Sequence, residues 1–194
     1  MNQGQVENFL CEALETEMGG VKIYQKALEC AQNAELQEEW QKYHEQTQRH
    51  EQILRQVCAD LGIDADQDTP GRQIVRANGE ALLELMDLAL ESGDEQQAQI
   101  VAAEVVTLAE TKDHLNWELI GLIVKEAKDD RFGKVLKKAF DEVEDEEDEH
   151  LFHTSGWARE LRAESLGLPA DLPPPEEDMK IKTRTAPRRK GKHA

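Results

Sequence analysis

The chain has few cysteines, and this scarcity narrows the classes of protein it can belong to. Its three cysteines, Cys11, Cys30 and Cys58, form no Cys-x-x-Cys pair, and their number is odd. A disulfide framework or a thiolate zinc site is therefore not expected. Unpaired cysteines of this kind fit a reducing compartment, so the sequence predicts a cytoplasmic protein.

Long apolar runs and strand-like alternation are also lacking. No stretch approaches the ~18 consecutive apolar residues of a membrane span, and the N-terminus has no basic region followed by an apolar run. We therefore expect no membrane insertion. Only Pro70 of the six prolines precedes Pro169, and Glu, Ala, Leu, Gln and Lys dominate the composition. These residues favour helices, so the sequence predicts an all-α protein.

Several common catalytic motifs are missing as well. The chain has no glycine-rich phosphate loop, no Gly-x-Ser-x-Gly and no His-Glu-x-x-His. Phosphoryl transfer, serine hydrolysis and zinc-protease chemistry of the usual kinds therefore find no support in the sequence.

Acidic residues are in large excess, and the bases are unevenly distributed. The chain has 41 Asp and Glu against 23 Lys and Arg, which gives a formal net charge of −18. Seven of the bases lie in residues 180–194, which contain no acid, so residues 1–179 carry about −25. Such a body repels nucleic acid and anionic membranes and attracts cations. Nucleic acid is expected to bind only weakly, through the basic tail.

The 194 residues suit one domain followed by a tail. Apolar periodicity predicts α1 over 5–32, α2 over 35–61, a short α3 over 73–90, α4 over 95–128 and α5 over 132–165. Short connections make α1–α2 and α4–α5 antiparallel pairs, while the long passage through α3 allows α2 and α4 to run parallel. Gly19-Gly20 within α1 predicts tight packing there. We assign 1–167 to a helical bundle and 168–194 to a proline-rich, then basic, tail that we expect to be disordered.

Two apolar helix stripes, one hundred residues apart, each contain a histidine. Steps of four and three residues keep side chains on one helix face, which normally points into a core. The α2 stripe consists of Leu36, Trp40, Tyr43, Thr47, His50, Leu54, Val57 and Leu61. The α5 stripe consists of Leu136, Phe140, Val143, Glu147, His150, Thr154, Trp157 and Leu161. The sequence therefore predicts that the Glu147-x-x-His150 pair is buried, and Thr47-x-x-His50 is its imperfect copy.

The other two long helices add acids to the same picture. Glu17 lies in an α1 stripe that otherwise consists of Leu, Ala, Val and Tyr, and α4 offers Glu110 with His114 one turn later. Because α4 is apolar on more than one side, Glu104 on another face remains a rival to Glu110 as a ligand. Buried carboxylates and imidazoles need partners, and a metal ion satisfies several of them together.

This set of residues resembles the ferritin-like superfamily, and within it the rubrerythrin-type and manganese-catalase-type bundles. The resemblance covers about residues 7–166 and implies a four-helix bundle with an additional short crossover helix. It implies a dinuclear iron or manganese centre with Glu17, His50, Glu110, Glu147 and His150 as ligands. His114, one turn beyond Glu110, is either an extra ligand or simply polar packing. Members of that superfamily reduce peroxide or oxygen, or oxidise ferrous iron. The chain lacks the Cys-x-x-Cys rubredoxin module of a complete rubrerythrin.

Thr47 departs from the pattern of the resemblance, because a glutamate is wanted at its position. Three carboxylates would then face two divalent ions, which leaves about one more positive charge to be balanced by hydroxide, an outside anion or a nearby acid such as Glu51. Oxygen or peroxide would bind in the opening that Thr47 leaves. A mononuclear or vestigial site is the alternative to a dinuclear one.

Three functions remain open at this point. The first is a metal-dependent oxidoreductase that handles peroxide, oxygen or iron. The second is iron storage. The proline-rich basic tail argues against it, because a cage would be expected to use a short fifth helix there. The third is a non-enzymatic bundle, an interaction or stress-related protein that dimerises through its helices and keeps remnants of a site. A homodimer is the expected assembly.

Overall fold

A computed structural model describes residues 1–127 and 131–179, and within these residues the chain is helical with no strand. The described part contains five α-helices and one 3₁₀ helix: α1 Gln3–Cys30, α2 Ala34–Leu61, α3 Pro70–Glu91, α4 Glu95–Ala127, α5 Arg131–Ser165 and the 3₁₀ helix Pro175–Asp178. The predicted all-α fold is confirmed. The predicted last residue of α4, Lys128, lies outside the described residues. None of the described helices is both long enough and apolar enough to cross a membrane.

Side-chain caps explain where the helices begin. The Asn33 side chain accepts hydrogen bonds from the backbone N–H groups of Glu35 and Leu36 at the start of α2. Thr69 caps α3 and is followed by Pro70 in the first turn, so this helix begins three residues earlier than the apolar pattern predicts. Gly62, with φ 74°, ends α2 in the left-handed conformation that glycine tolerates.

The four long helices form a closed ring of packed neighbours. α1 contacts α2 and α4, and α5 contacts the same two helices, while α3 packs against α1 and α4. The apolar core has two clusters. One contains Tyr24, Tyr43, Val106 and Trp157, and the other contains Leu14, Leu54, Trp117 and Val143.

Each long helix passes from one cluster to the other. α2 and α4 enter the Tyr43 cluster first and the Trp117 cluster second, and α1 and α5 do the reverse. α2 and α4 therefore run in the same direction, as the long connection between them predicts. The layer between the two clusters is where all four helices carry buried polar side chains.

Small residues allow α1 to approach its neighbours closely. A Cβ atom on Gly20 would lie 3.1 Å from Cγ2 of Thr47, and a Cβ on Gly79 would lie 4.0 Å from the Gly19 Cα. The tight packing predicted for Gly19-Gly20 is thus found at Gly20, which faces α2. A Cβ on Gly19, which lies beside Gly79 of α3, would meet no described atom within 4 Å.

The segment that follows α5 differs from the predicted disorder over its first part. Residues 168–179 are described, and their 3₁₀ helix packs against α5. The Arg159 guanidinium donates to both oxygens of Glu176, and the Trp157 indole donates to Glu177 at 2.8 Å. Because polar side chains hold this segment against α5, its sequence has no repeating apolar pattern. The periodicity of apolar residues therefore could not predict that the segment packs on the bundle. The basic part of the tail, 180–194, lies outside the described residues.

Candidate metal centre

The structure brings together five of the six predicted ligands in the polar layer. Glu17 comes from α1, His50 from α2, Glu110 from α4, and Glu147 and His150 from α5, and each is at most 3% exposed. Their ligand atoms form two groups that could each hold a metal ion, with all atoms of a group within 4.8 Å of one another. These groups are Glu17, His50 and Glu147, and Glu110, Glu147 and His150.

Glu147 belongs to both groups and lies between the two histidines. Its Oε1 is 2.9 Å from Nδ1 of His50 and 3.6 Å from Nδ1 of His150. The imidazole rings are stacked with centroids 5.7 Å apart. On the far sides, Glu17 Oε1 lies 3.9 Å from His50 Nδ1, and Glu110 Oε2 lies 3.5 Å from His150 Nδ1. A carboxylate in this position can bridge two cations.

Two aromatic donors orient the outer carboxylates. The Trp117 indole Nε1 donates to Oε1 of Glu17 at 2.8 Å, and the Tyr24 hydroxyl donates to Oε1 of Glu110 at 2.7 Å. Each bond joins α1 to α4. Each acid therefore has one oxygen held by an aromatic side chain and one oxygen left for another partner.

The two imidazoles are oriented in the same way, through their outer nitrogens. His50 Nε2 lies 2.8 Å from Glu146 Oε2, and His150 Nε2 lies 3.0 Å from Gln46 Oε1. Both partners are acceptors, so each Nε2 carries the proton and donates. A second-layer acceptor that fixes the tautomer and leaves the other nitrogen free is typical of histidines that bind metals.

The inward-facing atoms of the centre have no hydrogen-bond partner among the described residues. These atoms are Glu17 Oε2, His50 Nδ1, Glu110 Oε2, Asp113 Oδ1, both carboxylate oxygens of Glu147, and His150 Nδ1. Buried polar atoms are nearly always paired, and leaving one unpaired costs about 1–3 kcal/mol. A metal ion is a partner that oxygen and nitrogen acceptors from four helices can share.

The pKa values of the acids reflect the same crowding. Burial, followed by the charge of Asp113, raises the pKa of Glu17 and of Glu147 well above the usual range. Burial and the neighbouring Glu110 raise the pKa of Asp113 to about 7. The raised pKa values mean that these acids hold protons to higher pH than free carboxyl groups do, and a metal would displace those protons on binding.

The pKa values of the two histidines shift in opposite directions. Burial opposes the charged form of His50, but the hydrogen bond to Glu146 and the negative charges of Glu17, Asp113 and Glu146 together outweigh burial and raise the pKa of His50. Burial dominates at His150 and lowers its pKa. Burial also opposes ionisation of Glu146, but its hydrogen bonds to His50 and Arg49 lower its pKa to about 2. Glu146 is therefore a fixed anion that orients His50.

Asp113 is the residue that the sequence analysis missed. It is 5% exposed, and its charge acts on Glu17 and Glu147. The signal was present, because one buried stripe of α4 has steps of three and four residues: Ala103, Val106, Glu110, Asp113, Trp117 and Ile120. With Asp113 the centre contains four acids, whose four negative charges match two divalent cations. Asp113 therefore supplies the negative charge that is missing because Thr47 stands where a glutamate was wanted.

Three other acidic or imidazole residues stay out of the centre. His114 Nε2 binds Asp148 Oδ1 at 2.8 Å, and this histidine is not part of either ligand group. Glu104, the rival ligand on α4, is 46% exposed and binds Arg162 at 2.7 Å. Glu51 binds Arg55 at 2.8 Å. The register of α4 therefore places Glu110 inward, and His114 and Glu104 on other faces.

Thr47 does not leave the opening that the sequence analysis expected. It is 2% exposed, and its methyl group fills the space in front of Gly20. The cavity that reaches the centre is on the α3 side instead. It has a volume of about 250 Å³, is lined by apolar residues such as Ile23, Val75 and Leu82, and also contacts Glu110 and Asp113.

Comparison with known proteins adds no assignment to this geometry. No family model matches the chain, and no match is found among curated proteins or among solved structures.

Proposed function

We propose that the chain is a metal-dependent redox protein with a dinuclear iron or manganese centre and a fold of the ferritin-like kind. Glu147 would be shared by both ions, Glu17 and His50 would complete one position, and Glu110 and His150 the other. The observation that carries the proposal is the set of inward-facing atoms without hydrogen-bond partners among the described residues. Four side chains each have one such atom and one outer atom that is held by a hydrogen bond: Glu17, His50, Glu110 and His150. The parallel course of α2 and α4 and the resemblance of the motif support the fold.

The donor set suits these metals. Carboxylate oxygens with one imidazole for each ion are ligands that Fe²⁺ and Mn²⁺ accept, whereas soft thiolate ligands are absent from both groups. Such a pair of ions supplies electron transfer to peroxide or oxygen when bound.

The chain's own residues would orient and protect this centre. Tyr24 and Trp117 hold the outer carboxylates, and Glu146 and Gln46 hold the imidazoles. The apolar clusters above and below the layer exclude bulk water. The cavity beside Glu110 and Asp113 would admit a small oxidant such as hydrogen peroxide.

The proposal is tested by loading the chelator-treated full-length chain with two equivalents of Fe²⁺ without oxygen, and then mixing it with hydrogen peroxide or with oxygen. We expect the added iron to be oxidised at least about tenfold faster with the wild-type chain than with the Glu147→Ala chain, because iron that the variant fails to bind lacks positioning and charge stabilisation. Asp145→Ala is the matched control, because Asp145 is an exposed acid of the same run. Equal rates in the wild-type and Glu147→Ala chains would contradict the redox role.

A second candidate function is a bundle that self-associates and needs no metal. It is favoured by an exposed apolar stripe on α4, formed by Leu108, Leu115, Leu119 and Leu122. The first, second and fourth of these are seven residues apart, a spacing typical of helices that pair. The iron-loading experiment separates the two candidate functions, because a purely structural bundle would be folded without binding a stoichiometric amount of iron.

A further inference from the structure

A second cluster of metal-binding side chains lies where the C-terminal segment docks on the bundle. Glu39 comes from α2, His153 from α5 and Glu177 from the 3₁₀ helix. His153 Nδ1 is 3.9 Å from Glu39 Oε1 and 3.8 Å from Glu177 Oε2. The three ligand atoms lie within 4.8 Å of one another, and none of the three residues belongs to the dinuclear centre.

One indole holds the two carboxylates side by side. Trp157 Nε1 donates to Glu39 Oε2 at 2.6 Å and to Glu177 Oε1 at 2.8 Å, so the second oxygens of both acids turn toward His153. Glu39 is nine-tenths buried, and its Oε1 has no hydrogen-bond partner among the described residues. A buried acceptor in this position points to a missing cationic partner.

Nearby basic side chains do not fill that role. Arg159, six residues beyond His153, binds Glu176 and Glu160, and Lys42, next to Tyr43 on α2, binds Glu149 at 3.5 Å. Burial and the adjacent Glu177 raise the pKa of Glu39 to about 9. The two acids are thus close together, with the His153 imidazole beside them and with Arg159 and Lys42 paired elsewhere, an arrangement that favours uptake of a cation.

We propose that Glu39, His153 and Glu177 form a mononuclear site for a divalent transition-metal ion such as Zn²⁺, which links the C-terminal segment to α2 and α5. Two carboxylates and one imidazole are a common protein ligand set for such ions, with a fourth position for water. Ligands of a tetrahedral ion with bonds of about 2.1 Å lie roughly 3.4 Å apart, close to the separations seen here. The Tyr43 hydroxyl is hydrogen-bonded to His153 Nδ1 at 2.7 Å, and an ion bound to that nitrogen would take the place of this hydrogen bond.

The site is separate from the dinuclear centre but adjacent to it. The Tyr43 ring contacts the His150 imidazole with centroids 4.1 Å apart, while its hydroxyl binds His153. The metal would then strengthen the docking of residues 168–179 beyond the contacts that Arg159 and Trp157 already make, since Glu177 is the one ligand that the segment supplies. This inference does not rest on the proposed redox function.

The test compares the full-length wild-type chain with Glu177→Gln, and with Asp178→Asn as the matched control on an exposed neighbouring acid. Bound Zn²⁺ is counted by equilibrium dialysis and elemental analysis, and hydrogen exchange is followed at residues 168–179 with and without Zn²⁺. We expect Glu177→Gln to bind one ion per chain fewer than the other two and to lose the slowing of exchange that Zn²⁺ causes. Glutamine keeps the acceptor for Trp157, so the segment itself is preserved.

Equal zinc counts in wild-type and Glu177→Gln chains, or exchange at 168–179 that does not respond to Zn²⁺ in the wild type, would overturn the site. Glu147→Ala distinguishes this result from failure of the proposed function. In that chain, Zn²⁺ should still slow exchange at 168–179, whether or not the dinuclear centre exists.

Discussion

Glu147→Ala is expected to reduce the bound iron or manganese from two ions per chain to none. Glu147 is the one residue common to both of these ligand groups, and its Oε1 lies 2.9 Å from Nδ1 of His50 and 3.6 Å from Nδ1 of His150. Each position would keep only one carboxylate and one imidazole, too few for tight binding of a hard divalent ion. Glu17→Ala removes a ligand from one group only, so it should leave one ion bound. Elemental analysis of chains purified without chelators measures both results.

Two controls sharpen this experiment. His114→Ala should retain both ions, because His114 binds Asp148 and stays outside both ligand groups. Asp145→Ala should also retain both, since Asp145 is exposed. Glu147→Gln keeps the volume of the side chain, and circular dichroism of all variants shows whether they are folded. Two ions retained by a folded Glu147→Ala chain would exclude the shared-ligand arrangement.

The second large effect is on stability. When metal is removed by a chelator, the unfolding temperature should fall by at least about 10 °C between pH 5 and pH 8. A raised pKa of a buried acid means that the folded chain binds a proton that the unfolded chain releases. Stability from Glu17, Glu147 and Asp113 is therefore complete below their unfolded pKa values of 4.5, 4.5 and 3.8, and it is lost as pH rises. For Asp113 the loss ends at about pH 7.

The size of this effect follows from the linkage relation. One acid whose proton is released only on unfolding lowers the free energy of unfolding by about 1.4 kcal/mol for each unit that the pH rises. A change of 1 kcal/mol shifts the unfolding temperature of a domain of this size by about 2–4 °C. The raised pKa of His50 acts in the same direction, and the lowered pKa of His150 acts in the opposite one. Glu146, with a pKa of about 2, is ionised throughout this range and contributes no slope.

Bound metal should reverse the trend. Because a cation displaces the protons, its affinity and its contribution to stability increase with pH. The difference between the unfolding temperatures with and without Mn²⁺ should therefore widen from pH 5 to pH 8, which differential scanning fluorimetry measures. An unfolding temperature that rises over this range in the chelated chain would show that the acids are not buried together.

The sequence predicted the helices well because their apolar periods are long and uninterrupted. It also predicted Glu17, His50, Glu147 and His150 as buried, because each interrupts a stripe of large apolar residues. The register of α4 was harder, since that helix buries residues on more than one side, and Asp113 was therefore missed while His114 was included. The face of α4 that is taken to point at the centre decides whether Asp113 or His114 is counted among the ligands.

Other parts of the centre depend on side-chain orientation or on docking, which periodicity does not encode. Glu146 and Gln46 point their acceptors at the outer nitrogens of the histidines, although neither lies on a buried stripe. Glu177 reaches Trp157 from a segment rich in proline and acids, which composition alone assigns to disorder. The sequence thus predicts which residues point inward but not which side chains hold them in place.

The most direct measurement is anomalous X-ray scattering from crystals of the full-length chain grown with Mn²⁺. We expect two manganese peaks in the polar layer, one beside Nδ1 of His50 and the other beside Nδ1 of His150, with a Glu147 oxygen bound to each. A folded chain with no manganese peak between these two histidines, or with a single peak that Glu147 does not contact, would contradict the dinuclear centre.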